Sequence, residues 1–176
     1  MGRPRRISAV KPSAHDFADA AERHLDDVHA FLVYLTGDRN VAEDLTAETF
    51  ARALERWRRF NPRRGSARTW LCQLARSTAL DHFRAEERRR RREGRYASQV
   101  AEAQETAFGE GLSPQLESAL SRLSAAEREV LALRIVLELD GESAARVLGI
   151  SATACSTRLS RALQKLEREV SAGVAA

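Results

Sequence analysis

Apolar residues recur every three to four positions along nearly all of the 176-residue chain, and no segment alternates as a half-buried strand does. This periodicity predicts an all-α fold, and the few interruptions set its divisions. Ser13 is placed to cap a first helix through about Leu35, ended by Gly37. A second helix is expected from about Asn40 to Trp57, followed by a Pro/Gly loop, FNPRRGS, at Phe60–Ser66. Ser66 can cap a long third helix that continues into the Arg88–Arg92 run. The pattern weakens from Gly94 to Ser113, which reads as a flexible linker. Ser113-Pro114 restarts it, because Pro suits the first helical position after a capping residue. Ser124 and Glu127 form a capping box for a helix to about Glu138. A short helix, about Glu142–Leu148, ends at Gly149, and Ser151 can cap a last one to about Val170. The expectation is two small helical domains joined by a flexible linker, the second containing a helix-turn-helix.

Composition narrows the function. Cys72 and Cys155 are too few for a disulfide framework, and His15, His24, His29 and His82 lack metal-site spacing. No apolar run approaches membrane-span length and no signal-peptide core is visible, so the expectation is a cytoplasmic chain with no membrane contact. No nucleophile–base pair, metal cluster or phosphate-cradling Gly loop occurs, so neither an enzyme nor a cofactor is expected.

The net charge of +4 conceals segregation: +4 over residues 1–12, −4 over 13–60, +7 over 61–95, −4 over 96–118 and +1 over 119–176. A concentrated basic block points to a polyanion more strongly than the sum does. On the second helix Asp44, Glu48 and Glu55 gather opposite the apolar face, either as a solvated surface or as a docking face for a basic partner. Beyond it, Arg56, Arg58, Arg59, Arg63, Arg64 and Arg68 interleave with Trp57, Phe60 and Trp70. Rings that stack on bases beside Arg that follows phosphates suit single-stranded nucleic acid. Asn61, Ser66 and Thr69 are polar groups that could line a pocket for an extruded base; Trp57 and Trp70 could instead be core residues, the reading favoured for Trp70 on the Leu71/Leu74 helix. On the last helix Thr153, Thr157, Ser160, Arg161 and Gln164 lie away from the apolar stripe, as in a major-groove reading face.

Four stretches in order, LTGDRNVAEDLTAETFARAL (Leu35–Leu54), RTWLCQLARSTALDHFR (Arg68–Arg84), ALSRLSAAEREVLALR (Ala119–Arg134) and LGIS…TRLSRAL (Leu148–Leu163), resemble bacterial RNA polymerase sigma factors. The resemblance is to the extracytoplasmic-function (ECF) branch of the sigma-70 family. It implies sigma region 2 at 13–93, a linker at 94–113 and sigma region 4 at 114–171, flanked by a disordered basic arm (1–12) and a tail (172–176). By the same resemblance, Asp44, Leu45, Glu48, Phe50 and Glu55 would dock core RNA polymerase. Trp57, Phe60, Asn61, Arg63, Arg64, Ser66, Thr69, Trp70, Arg76 and Arg84 would recognise and melt the −10 promoter element. Arg88, Arg89, Arg91 and Arg92 would hold the duplex backbone, and Thr153, Ser156, Thr157, Arg158 and Arg161 would read the −35 element. The family's Glu-Ile-Ala and Gly-Thr-Val are replaced by Ser143-Ala144-Ala145 and Thr153-Ala154-Cys155, and a frequent Lys is Ser156.

The implied function is a sigma factor that binds core polymerase and promoter DNA, duplex and melted, and nucleates melting. The alternative is a helix-turn-helix regulator acting without polymerase, which leaves the acidic helix and the Arg/aromatic loop without a task. Val174, Ala175 and Ala176 resemble a degradation tag. Regulation by an anti-sigma factor or by an unfoldase-protease therefore stays open.

Overall fold

In a computed structural model of the chain, residues 13–93, 108 and 111–174 are described. The basic arm, most of the expected linker and the terminal Ala175-Ala176 of the proposed tag lie outside them. The described residues form seven α-helices and no strand.

The first domain packs α1 (Ala14–Thr36), α2 (Arg39–Arg56) and α3 (Ala67–Glu93) against one another. Ser13 and Asp16 form a capping box at the start of α1, and Gly37 closes its end at φ 73°, where a left-handed residue satisfies the last carbonyls. Asp38 caps α2 through the backbone N–H groups of Asn40 and Val41. Val28, Phe31, Leu32, Leu45, Leu71 and Cys72 fill the space between the three helices.

The second domain holds α4 (Pro114–Ser121), α5 (Ala125–Leu131), α6 (Gly141–Leu148) and α7 (Ala152–Val174). Ser113 and Ser124 cap α4 and α5 as the sequence predicts. The helix expected to reach Glu138 instead widens to a π-helical turn at Ala132–Val136, and the chain reverses at Glu138, a non-glycine residue at φ 51°. A left-handed Glu is strained, and two backbone bonds hold the reversal: Leu137 N–H to Ala132 O and Leu139 N–H to Leu133 O. Arg134 donates to the Leu139 carbonyl across the same turn. Asp140 caps α6, Gly149 ends it at φ 67°, and α7 departs to complete the helix-turn-helix.

The two domains touch. α6 lies on α3, and α5 with the π-helical turn lies on α1. Their buried apolar residues form one continuous cluster, into which Phe108, from the segment read as linker, is inserted at 2% exposure. Ring burial fixes Phe108 within the segment expected to be a linker; the rest of 94–110 lies outside the described residues.

Candidate nucleic-acid interface

The loop between α2 and α3 is built on a stack of rings. Trp57 is buried, and its indole N–H donates to the Ser13 carbonyl at 2.9 Å, tying the end of α2 to the start of α1. Phe60 stacks on it at 4.9 Å between centroids, Phe17 meets it edge-on at 5.4 Å, and Trp70 leans against it at 5.7 Å. With its ring surrounded, Trp57 offers no free face to a base. This corrects its assignment as a contacting residue: it is the platform that positions Phe60. Trp70 is partly buried, packing on the core while bordering the loop cavity.

Asn61 accepts from the Arg63 backbone N–H, making a tight turn that throws Arg63 and Arg64 outward. Gly65 follows at φ 155°, so the chain bends where a side chain would be strained. Ser66 then accepts from the Thr69 N–H at 3.1 Å while the two hydroxyls pair at 2.9 Å. Thr69 is only 2% exposed, so it shapes the loop from beneath. The result is a cavity of about 500 Å³ lined by Arg59, Phe60, Asn61, Arg64, Ser66, Trp70, Gln73 and Arg146. Among the described residues no carboxylate pairs with Arg59, Arg64 or Arg146. An aromatic wall beside unneutralised guanidinium groups suits a base and its phosphates.

Further along α3, Arg76 is bound to Glu129 of α5 at 2.5 Å. Arg84 is exposed, with only a 3.4 Å contact to Asp81. Arg88, Arg89, Arg91 and Arg92 are exposed on the last turns. Arg89 and Arg91 pair with Glu86 and Glu87 on the same helix, an exposed arrangement that phosphates can displace.

The acidic face of α2 keeps Asp44, Glu48 and Glu55 exposed. Arg52 bridges Glu48 at 2.5 Å and Asp81 at 3.1 Å, and these partners, Asp81 foremost, raise its pKa. Asp44 and Glu55 have no basic partner among the described residues. Leu45, expected on this face, is 3% exposed and belongs to the core, so it sets the face only from behind. Phe50 points elsewhere too: with Leu25, Ala47 and His29 it lines an apolar groove of about 550 Å³ between α1 and α2. Leu54, which the sequence reading passed over, is 55% exposed beside Glu55.

On α7, Cys155 and Ala162 are buried, while Thr153, Ser156, Thr157 and Arg161 are exposed and Arg158 is half-buried. Leu163, next to buried Ala162, is 41% exposed. The hydroxyls of Ser156 and Thr157 rest on the carbonyls of Ala152 and Thr153, a fallback they can exchange for an external acceptor. A shallow concavity bounded by Glu127, Ser151, Thr153, Thr157, Arg158 and Arg161 lies at the start of the helix. The charges of α5 find their partners on other elements. Glu127 pairs with Lys165, Glu129 with Arg76, and Arg128 donates to backbone carbonyls. Burial pushes the Glu129 carboxyl up, and Arg76 only partly offsets this.

Among the described residues there is no cluster of side chains that could hold a metal ion, and no helix long and apolar enough to cross a membrane.

Two family descriptions match the chain: Sigma-70 region 2 over residues 20–89 and Sigma-70, region 4 over residues 113–166. It is 33% identical over 159 residues to the ECF RNA polymerase sigma factor BldN of Streptomyces coelicolor, covering 88% of this chain and 60% of that protein. With the ECF RNA polymerase sigma factor SigC of Mycobacterium tuberculosis it shares 32% identity over 161 residues, covering 91% of this chain and 86% of the relative. The chain thus spans little more than half of one relative and most of the other. Among solved structures, the sigma factor RpoE, in complex with the anti-sigma factor NepR from Bartonella quintana, has the same fold. It aligns with a TM-score of 0.76 at 23% identity, covering 90% of this chain and 98% of that one. CnrH, in complex with the cytosolic domain of CnrY, aligns with a TM-score of 0.66 at 22% identity, covering 91% and 90%.

Proposed function

Because this chain belongs to the sigma-70 family of RNA polymerase sigma factors, in its ECF branch, we propose that it binds core RNA polymerase, recognises −10 and −35 promoter elements and nucleates promoter melting. The observation that carries this reading is the presence, in one chain and in order, of both matched regions, each with a surface suited to its task. An acidic face and a ring-lined basic cavity sit on neighbouring helices of the first, and a helix-turn-helix in the second.

In this reading, residues 13–93 act as region 2 and 114–171 as region 4. Asp44, Glu48 and Glu55 meet a basic surface of the polymerase, with Leu54 supplying the apolar contact. Phe60, held flat by Trp57, stacks on an unpaired base, while Asn61, Arg64 and Ser66 hold its edge and phosphates. Only the melted strand presents such a base, so binding it shifts the duplex–bubble equilibrium toward the bubble without a chemical step. Thr153, Ser156, Thr157 and Arg161 contact the −35 duplex. With a net charge of only +1 over 119–176, that grip depends on tethering to polymerase to raise the local concentration.

Reconstitution with purified core polymerase on a promoter library tests the reading. Discrete transcripts that depend on the chain support it; none above core alone contradicts it.

A further inference from the structure

We propose that the groove between α1 and α2 seats the chain's own basic arm, residues 1–12: apolar residues of the arm fill the groove while its arginines meet the acidic rim. Nothing in this seating depends on polymerase or promoter, and it gives a place to a segment for which the transcriptional reading has no task.

Ala21 and Leu25 of α1 line the groove with Ala47 and Phe50 of α2, around a volume of about 550 Å³. Leu25 is 47% exposed there. An apolar surface left open and rimmed by charge marks an interaction site. The rim is acidic: Glu22, Asp26 and Glu43 are exposed, and none has a basic partner among the described residues. His29 lines the same groove, and its Nε2 is buried with no hydrogen-bond partner among the described residues. Buried polar atoms are normally paired, so the groove lacks a polar contact as well as an apolar one.

The arm leaves from the end of this groove. Ser13 is held through its carbonyl by the Trp57 indole N–H at 2.9 Å, which fixes the start of α1 beside the end of α2. The two helices pack together and are joined only by Gly37 and Asp38, so they run antiparallel. At ~1.5 Å per residue, Ala21, Leu25 and His29 lie about 11, 17 and 23 Å along α1 from its first residue. An extended chain with three residues per turn rises ~3.1 Å per residue, which puts Val10, Ile7 and Pro4 about 9, 19 and 28 Å from Ser13. The same period brings Pro4, Ile7 and Val10 to one side, with Arg3 and Arg6 on one flank and Arg5 and Lys11 on the other. Laid back along the groove, Val10 comes beside Ala21 and Ile7 beside Leu25, and the arm's +4 faces the three carboxylates. A chain of this form makes no internal hydrogen bonds, so its backbone is available to His29 Nε2.

Tethering lowers the affinity that seating requires. So short a link gives an effective concentration on the order of millimolar, and a contact with a Kd of ~1 mM is then occupied in about half of the molecules.

The test is paramagnetic broadening of backbone amides in the isotope-labelled full chain, with a nitroxide on Ser8→Cys, which lies on a basic flank of the arm. The native Cys72 and Cys155 are buried and do not compete for the label. The amides of Ala21, Leu25, Ala47 and Phe50 should lose about half of their intensity or more, as for an arm seated in half of the molecules. Arg3→Glu with Arg5→Glu and Arg6→Glu should restore them. So should Ala47→Arg, which places a cation at an exposed position in the groove. Neither change touches the packed core, so the fold stands in both. Full intensity in the native chain would overturn the proposal, as would losses that persist in either variant. Losses that appear between molecules, in a mixture of isotope-labelled chain without nitroxide and unlabelled chain carrying it, would overturn it by making the occupant a second copy's arm. Arm amides that shift only on adding a mixed-sequence DNA duplex, with the groove amides at full intensity before and after, would overturn it by making the arm a DNA contact.

Discussion

Arg68 grips the Asp27 carboxylate with two nitrogens, Nε at 2.7 Å and Nη2 at 2.8 Å, fastening the first turn of α3 to the middle of α1. His24 Nδ1 lies 3.2 Å from the same carboxylate. Burial alone would raise the Asp27 pKa, but the hydrogen bonds and charges of Arg68 and His24 outweigh it, and the net shift is downward. A depressed carboxyl stabilises the fold above its ordinary range near 3.8, and that contribution is lost as pH falls through the depressed native value. Asp27→Asn should therefore cost about 1–2 kcal/mol at pH 7, with the difference from wild type shrinking below pH ~4. Urea unfolding at the two pH values measures it.

Trp57 and Phe60 differ in role although both border the loop. Trp57→Ala should lower unfolding free energy by about 3–5 kcal/mol, as expected for a buried ring. Phe60→Ala should leave the fold standing and reduce promoter opening by roughly ten-fold or more, the loss of one stacked base. Thermal melts and permanganate reactivity of promoter thymines separate the two effects.

The acidic face can be inverted at little structural cost. Asp44→Arg with Glu48→Arg removes only the exposed Arg52–Glu48 bridge, so stability should change by less than about 1 kcal/mol. Core polymerase affinity should fall by about 100-fold or more, because like charges then face each other. Titration of labelled chain with core enzyme measures it, and unchanged affinity removes this face from the interface.

Burial pushes the Cys72 thiol up to about 12, and Cys155 is raised for the same reason. Neither should react with a thiol-specific disulfide reagent at pH 8 in the native chain, and both should react in denaturant. Kinetics of thiol release follow this directly.

Helix positions were legible in the sequence because caps are local. Ser13, Ser113 and Ser124 accept from the backbone groups that their spacing predicts. Exposure of Asp44, Arg63 and Thr157 was legible for a similar reason, since helical period and loop chemistry decide it. The exchange of partners between domains was not. Nothing near Glu129 in sequence announces Arg76, 53 residues away, and Arg128 binds backbone carbonyls that no side-chain pattern reveals. Leu45 was misplaced because functional resemblance picks out a helix, whereas the 100° step between neighbours decides which residues face the core. The π-helical turn at Ala132–Val136 carries no signature in an otherwise helical run.

The most direct measurement is start-site sequencing of transcripts made by the chain with purified core polymerase on a library of randomised promoters. The account predicts discrete starts that share two motifs, one near −10 and one near −35, at a fixed separation. In Arg161→Ala the upstream motif should weaken while the downstream one persists. Absence of chain-dependent starts, or starts with no shared upstream motif, would contradict it.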